Sequence, residues 1–373
     1  MLKPLFKYPG GKYDEYKYIK DYIPKEIENY YEPFFGGGGV YFQLKNENRV
    51  KGTSYINDFS YDLINFYNNA VSDDFITNID HINKAWNEIK ELSSEVSNAL
   101  GDEFLQRISG DTQAFSKEKV SDAVKTLLTK KSEICSLNLG TKTNLHIIIV
   151  SSLIDKAKRF SKKEITKNNE NIGEICISTA IHQGFYFAIR SVYNEWLTDE
   201  NCSSYTEAEK AAHWFFIREM CYGSMFRFNA NGEFNIPYGG YSYNKKGFSD
   251  KIAYMKSGEV KDALTKNIVI ENLDFSVAMD KDYTDKDFIF LDPPYDTTFS
   301  EYDGNAFGKD KHQQLADILK GIKCKWMLVI KNTEFIYGLY NGWANIMSFD
   351  KTYMYHTRGS YDQNVEHLII TNY

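Results

Sequence analysis

Phe288-Ile289-Phe290-Leu291-Asp292-Pro293-Pro294-Tyr295 joins an apolar run to a corner rich in hydrogen-bond acceptors. Two successive prolines have no amide hydrogen to give to a ladder, so a strand over Phe288–Leu291 must stop at Asp292. Their fixed φ angles stiffen the chain there, and the Asp292 carboxylate and the Pro293 carbonyl become two acceptors on one rigid turn. That pair suits an exocyclic amine on a nucleobase, a poor nucleophile because its lone pair is delocalised into the ring. Bonding both of its hydrogens draws the nitrogen toward tetrahedral geometry and localises the lone pair, which can then attack a sulfonium methyl in line. The same acceptors take up charge that develops on nitrogen. Tyr295 can stack on a base that has been turned out of its duplex. This chemistry calls for neither a cysteine nucleophile nor a metal.

A second group of residues lies upstream. Tyr31-Glu32-Pro33-Phe34-Phe35-Gly36-Gly37-Gly38-Gly39 ends a strand-like run over Ile27–Phe34, and Asp58 ends the next, Val50–Asp58. The glycines allow a sharp turn and close approach of the backbone to a ligand. Asp58 lies 22 residues beyond Gly36 (58 − 36), the separation at which a nucleotide-binding sheet presents an acid to ribose hydroxyls. Taken singly, such a turn reads equally as a plain loop and such an aspartate as a helix cap; their pairing points to a nucleoside. The Lys-Ser or Lys-Thr of a P-loop is missing, and Glu32 would repel a pyrophosphate. An acid there suits a cationic ligand instead, and S-adenosylmethionine carries both a sulfonium and an ammonium.

Both groups need a sheet to hold them. Short apolar runs at Ile268–Ile270, Phe288–Leu291, Trp326–Ile330 and His367–Thr371, with a helical stretch over Lys311–Lys320, predict an α/β sheet covered on both faces. Between the two ends of this pattern, residues from about 71 to 220 are predominantly helical. Apolar residues recur at three- and four-residue spacing over Asp122–Leu128, His146–Phe160 and Thr179–Leu197. Polar stretches at Ser93–Ser97 and Ser161–Gly173 are expected as loops. Asn231-Gly232, flanked by Met225-Phe226-Arg227-Phe228-Asn229 and Glu233-Phe234-Asn235-Ile236-Pro237-Tyr238, predicts a β-hairpin over 222–243. The expected architecture is a catalytic domain of residues 1–70 and 250–373, interrupted by a helical and hairpin domain at 71–249.

Composition is that of a globular protein: 373 residues, 42% hydrophobic and 25% charged. The 16% aromatic content is mostly Tyr and Phe and needs no function beyond a few stacking positions. A net charge of −7 runs against the basic character usual for nucleic-acid binding, but binding depends on local patches. Two basic runs exist, Lys117, Lys119, Lys125, Lys130 and Lys131, then Lys156, Lys158, Arg159, Lys162, Lys163 and Lys167. They are either solvated helix faces or a clamp on a duplex. Cys135, Cys176, Cys202, Cys221 and Cys324 are odd in number and widely spaced, which fits reduced thiols in a cytoplasm. The opening Met-Leu-Lys-Pro-Leu-Phe-Lys-Tyr-Pro-Gly-Gly-Lys lacks a signal-peptide core, and no apolar run reaches transmembrane length. The expected setting is a bacterial or phage-encoded protein of the cytoplasm with no membrane partner.

Over residues 1–70 and 215–373 the chain resembles the α-group DNA adenine methyltransferases, whose best-known members methylate adenine in GATC. Lys3-Pro4-Leu5-Phe6-Lys7-Tyr8-Pro9-Gly10-Gly11-Lys12 is similar to the family's amino-terminal motif, in which residues placed like Tyr8, Gly10 and Lys12 meet the cofactor. Tyr31–Val40 resembles the glycine motif on the methionine side, implying contacts from Glu32, Pro33, Phe34, Gly36 and Gly38. Ile56-Asn57-Asp58 resembles the ribose motif, and Asn272-Leu273-Asp274-Phe275 the segment beside the cofactor's adenine. Asp292–Tyr295 resembles the catalytic tetrapeptide. Arg227 to Gly239 is similar to the DNA-reading hairpin, where Arg can bond guanine and Asn adenine in bidentate fashion. DNA contacts are implied for Tyr222, Met225, Arg227, Asn229, Asn235, Pro237 and Tyr241.

The resemblance therefore implies a Rossmann-like, S-adenosylmethionine-dependent methyltransferase sheet with an inserted target-recognition domain, acting on the 6-amino group of adenine in double-stranded DNA. A cognate restriction endonuclease is a partner it allows, and a monomer or weak dimer is the expected state. The recognition region is much longer than in compact family members, and Tyr222-Gly223-Ser224 lacks the Asn-Gly expected of GATC enzymes, so another recognition sequence is expected. An amino-methyltransferase of cytosine or RNA, or a non-catalytic DNA-binding relative, remains as the alternative. Asp292, where cytosine enzymes more often carry Ser and glutamine-directed ones Asn, weighs against the former.

Overall fold

A computed structural model describes residues 1–111, 113–140, 142–159, 171–198, 205–295, 307–352 and 364–373. Phe160, Lys162, Lys163 and Lys167, most of the loop expected over 161–173, and Cys202 lie outside the described residues. The chain divides into two units, one formed by Met1–Asn68 with Ser257–Tyr373, the other by Asn69–Lys256. Among the described residues no helix is long and apolar enough to cross a membrane.

The first unit is built on a seven-stranded sheet of β1 (Tyr30–Glu32), β2 (Ser54–Asn57), β3 (Ile268–Glu271), β4 (Phe288–Leu291), β5 (Lys325–Lys331), β6 (Asn345–Thr352) and β7 (Asn364–Thr371), in the order β3-β2-β1-β4-β5-β7-β6. The first five are mutually parallel, and β7 runs antiparallel to both β5 and β6. Every residue of β1 and β4 is buried, which is why Phe288–Leu291 reads as a continuous apolar run rather than an alternating one. Ile289, Leu291, Trp326, Leu328, Ile330 and Ile370 join Leu315 and Leu319, of the helix Lys309–Gly321, in a shared core. Each such side chain contributes about 1.5–3 kcal/mol by leaving water. From β1 the chain moves outward to β2 and, beyond the second unit, β3; from β4 it moves the other way to β5. The strand order thus reverses between β1 and β4, and a crevice at the carboxyl ends of these two strands is where open α/β sheets bind ligands.

β6 was not foreseen from sequence. It is a half-exposed edge strand of mixed polarity, so it lacks the apolar run that marks β4 and β5.

The second unit is organised around a helix of 36 residues, Asp73–Ile108, capped by the Ser72 hydroxyl accepting from the Phe75 amide. The loop expected over Ser93–Ser97 is instead part of this helix. Leu92, Val96, Leu100 and Phe104 continue its buried stripe, and the buried Ser93 hydroxyl donates to the Lys90 carbonyl at 2.8 Å. Local polarity was outweighed by burial at helical spacing. The helices Leu145–Arg159 and Ile172–Thr198 pack closely where a side chain on Gly184 would meet the Ile149 Cα at 2.9 Å. Lys131 is buried and spans Glu91 and Glu95 at 3.1 and 3.0 Å. It is therefore an internal tie between helices and no part of a clamp on DNA, whereas Lys117, Lys125 and Lys130 are exposed.

Candidate active site and recognition hairpin

Four acidic residues gather at neighbouring strand ends of the first unit: Glu32 on β1, Asp58 after β2, Asp274 after β3 and Asp292 after β4. The turn leaving β1 is held by Asp58, whose Oδ2 accepts from the Gly36 amide at 2.9 Å while Oδ1 accepts from Ser60. Gly36 and Gly38 adopt positive φ (50° and 66°). A Cβ on Gly36 would lie 3.0 Å from the Tyr8 ring, and one on Gly38 only 2.6 Å from the Phe35 ring. The glycines are thus required by backbone sign and by space together.

Asn57, 3% exposed, ties this turn to the end of β3. Its Nδ2 donates to the Pro33 and Leu273 carbonyls, both at 3.1 Å, and its Oδ1 accepts from the Leu273 amide at 2.8 Å. Sequence reasoning passed over Asn57 as the middle of a motif; the available signal was a carboxamide at the end of a buried strand. Beside it, Phe34, Phe275 and Phe307 form an aromatic wall with ring centroids 5.3–5.4 Å apart.

The pKa values of two of these acids are pushed in opposite directions. Glu32 is 2% exposed and hydrogen-bonded by the Tyr30 hydroxyl at 2.8 Å; burial, reinforced by Asp292 and Asp58, pushes its pKa well above the usual range. For Asp274 burial alone would raise the pKa, but bonds from the Ser276 hydroxyl and amide and from Lys311 carry it below its ordinary value.

At the β4 corner Pro293 is buried and Asp292 half-buried. Lys12, 3% exposed, places its ammonium 2.6 Å from Asp292 Oδ1, 3.0 Å from the Gly10 carbonyl and 3.1 Å from the Tyr295 hydroxyl. The amino-terminal motif and the Asp-Pro-Pro-Tyr corner, 280 residues apart, are thereby joined by a charge-assisted bond. Glu15 and His367, neither singled out from sequence, continue behind Lys12.

In the second unit, residues 222–238 turn back on themselves around Asn231-Gly232, but the pairing is two isolated antiparallel bridges, Cys221 with Tyr238 and Phe228 with Phe234. The expected regular hairpin ladder is reduced to these bridges and a few backbone bonds, supplemented by side chains of the helix Ile172–Thr198. Asn194 exchanges two bonds with the Phe234 backbone, and Tyr186 and Arg190 both donate to the Ile236 carbonyl. These donors recur every four residues, so one helix ridge serves the Phe234 and Ile236 backbone groups that the sparse pairing leaves over. Burial alternates: Phe234, Ile236 and Tyr238 face inward, while Met225, Arg227, Asn235 and Pro237 are exposed, as are Tyr222 and Tyr241. Asn229 differs. Its Oδ1 accepts from the Asn231 and Glu233 amides and its Nδ2 donates to Glu233, so the carboxamide shapes the turn.

An open sheet of this order, with a glycine turn closed by an aspartate beside an Asp-Pro-Pro-Tyr corner, defines a Rossmann-like methyltransferase. Residues 8–138 and 143–355 match the family described as D12 class N6 adenine-specific DNA methyltransferase, and the chain belongs to that family. It is 26% identical over its whole length to the Type II methyltransferase M.CviBI of Paramecium bursaria Chlorella virus NC1A, all of which is covered. It is also 26% identical, over its whole length and 99% of the other, to the Type II methyltransferase M.MjaIII of Methanocaldococcus jannaschii. The DNA adenine methylase of Haemophilus influenzae is 28% identical over 42% of this chain and 53% of its own. Membership implies a methyl transfer that depends on S-adenosylmethionine, with DNA as substrate.

Proposed function

We propose that the protein transfers the methyl group of S-adenosylmethionine to the 6-amino group of an adenine flipped from duplex DNA, at a defined sequence read by the 69–256 unit. The observation that carries this reading is the Asp292-Pro293-Pro294-Tyr295 corner standing beside the glycine turn at the point where strand order reverses. The residues present fit the cofactor. Gly36 and Gly38 leave no room for side chains, Asp58, which closes the glycine turn, would accept from ribose hydroxyls in this reading, the Phe34, Phe275 and Phe307 wall suits an adenine ring, and the acids suit a sulfonium and an ammonium.

Bound there, S-adenosylmethionine supplies an electrophilic methyl group. Asp292 and the Pro293 carbonyl would accept the two amine hydrogens, localise the nitrogen lone pair and stabilise the charge that grows on it. Tyr295 would hold the flipped ring by stacking. Lys12 orients Asp292 and neutralises it until the amine arrives. The exposed row of Met225, Arg227, Asn235 and Pro237, with Tyr222 and Tyr241, is the recognition surface of this reading; Arg227 is its cation. The Type II name shared by M.CviBI and M.MjaIII makes a cognate endonuclease the partner to look for.

Incubation with labelled S-adenosylmethionine and unmethylated DNA, followed by nucleoside analysis, tests the reading. Label is expected in 6-methyladenine, and Asp292→Ala should abolish it. Label in cytosine, or in RNA alone, would overturn the substrate assignment, and label retained by Asp292→Ala would overturn the catalytic one.

A further inference from the structure

Behind the half-buried Asp292 of the catalytic corner lies a row of three ionisable side chains withdrawn from water. Asp292, Lys12, Glu15 and His367 follow one another at 2.6, 4.0 and 3.9 Å. Exposure of the last three side chains is 2%, 6% and 0%. Glu15 immediately precedes the short helix Tyr16–Ile19, yet its side chain does not cap it. A carboxylate withdrawn from water is costly without compensation, and an apolar residue of similar size would often serve stability as well. The row therefore calls for a functional reason.

The reason lies in competition for Asp292. While Lys12 sits 2.6 Å from its Oδ1, that carboxylate is neutralised and carries a cation where the amine must come. As the new C–N bond forms, the amine nitrogen also turns positive, and two cations cannot both be served by one carboxylate at no cost. Glu15 offers the ammonium another anion on its far side, within a side-chain rotation of about an ångström beyond hydrogen-bonding distance.

We propose that Glu15 is a second seat for Lys12, drawing the ammonium off Asp292 when the target amine engages it, and that His367 positions Glu15 for this exchange. His367 is suited to the task because β7 fixes its backbone between Lys331 of β5 and Phe349 of β6, and its ring also packs 5.6 Å from Tyr295. Both are positioning residues: neither touches substrate, and each acts through Lys12.

The inference rests on Asp292 being the acceptor for the amine, so Asp292→Ala is assayed in parallel. Glu15→Gln removes the anion but keeps size. Its kcat should fall about ten- to a hundredfold, as for a misplaced catalytic group, with KM for DNA and cofactor and the cofactor Kd within twofold. Glu15→Asp should restore part of the rate. A kcat equal to wild type, a loss confined to KM, or equal losses in the Gln and Asp variants would overturn the exchange. Should Glu15→Gln unfold, His367→Gln carries the test: lowered kcat at unchanged KM supports the proposal, and wild-type kcat refutes it. Activity surviving in Asp292→Ala would remove the premise, whereas an inactive Asp292→Ala beside a fully active Glu15→Gln would remove only the second seat.

Discussion

Replacing Asn57 by Ala should damage the cofactor side of the site and the fold of the first unit together. The Asn57 carboxamide makes three bonds, to the Pro33 carbonyl and to both backbone groups of Leu273, from a position 3% exposed. Each bond contributes a net of about 1 kcal/mol, and the buried Pro33 carbonyl, left without this donor, adds a desolvation penalty of similar size. The total is about 2–4 kcal/mol. In a unit of roughly two hundred residues this lowers the Tm by about 5–15 °C. Because the lost bonds join the turn at Pro33 to the segment before Asp274, affinity for S-adenosylmethionine should weaken as well. Asn57→Asp is the sharper control. It keeps the shape but turns a carboxylate oxygen toward two carbonyls, so at neutral pH it should be worse than alanine. Thermal unfolding and cofactor titration of both variants decide the matter. An alanine variant with unchanged Tm and unchanged cofactor Kd, or an aspartate variant more stable than it, would show that Asn57 does not hold the two segments together.

Two further outcomes follow from charge. Burial first, then Asp292 and Asp58, raise the Glu32 pKa above its ordinary 4.5, so the folded protein keeps a proton that the unfolded chain releases. The resulting stability is complete below that ordinary value and is lost as pH rises through the raised one. A cationic ligand beside Glu32 favours its carboxylate, so cofactor binding should release a proton and tighten with rising pH up to that raised pKa. Titration calorimetry in buffers of different ionisation enthalpy measures this, and Glu32→Gln retaining the same proton release would refute the assignment. Arg227 is exposed on the outward face of the hairpin turn, so Arg227→Ala should weaken DNA binding and flatten the log–log salt dependence by about one unit while leaving cofactor affinity intact. Equal DNA affinity and slope in both proteins would remove Arg227 from the recognition surface.

Much of this protein was legible from residue order. Strand β4 announced itself because both its faces are buried and its four residues are all apolar, and the prolines after it cannot pair in a ladder. The glycine turn and Asp58 could be paired from their separation along the chain, and the fold joins them through the Gly36 amide and the Asp58 carboxylate. These are local or near-periodic signals. The errors also share a cause. Ser93–Ser97 looked like a loop by polarity, but its helical state depends on Leu92, Val96 and Leu100 finding a partner surface. Lys131 looked like part of a solvated basic run, but Glu91 and Glu95 arrive beside it only when two helices pack. Asn229 looked like a reader of bases, but its own turn consumes its carboxamide.

The amino-acid sequence by itself determined the class of sheet, the Asp-Pro-Pro-Tyr stop after β4 and the family, because each resides in short runs whose chemistry does not depend on distant residues. The tertiary structure alone decided which charges meet. Lys12 and Asp292 are 280 residues apart, and Glu15 and His367 more distant still, yet they form one row running from the half-buried Asp292 into the interior. Coulomb interaction and desolvation depend on separation in space and on exclusion of water, and neither is encoded in residue spacing along the chain.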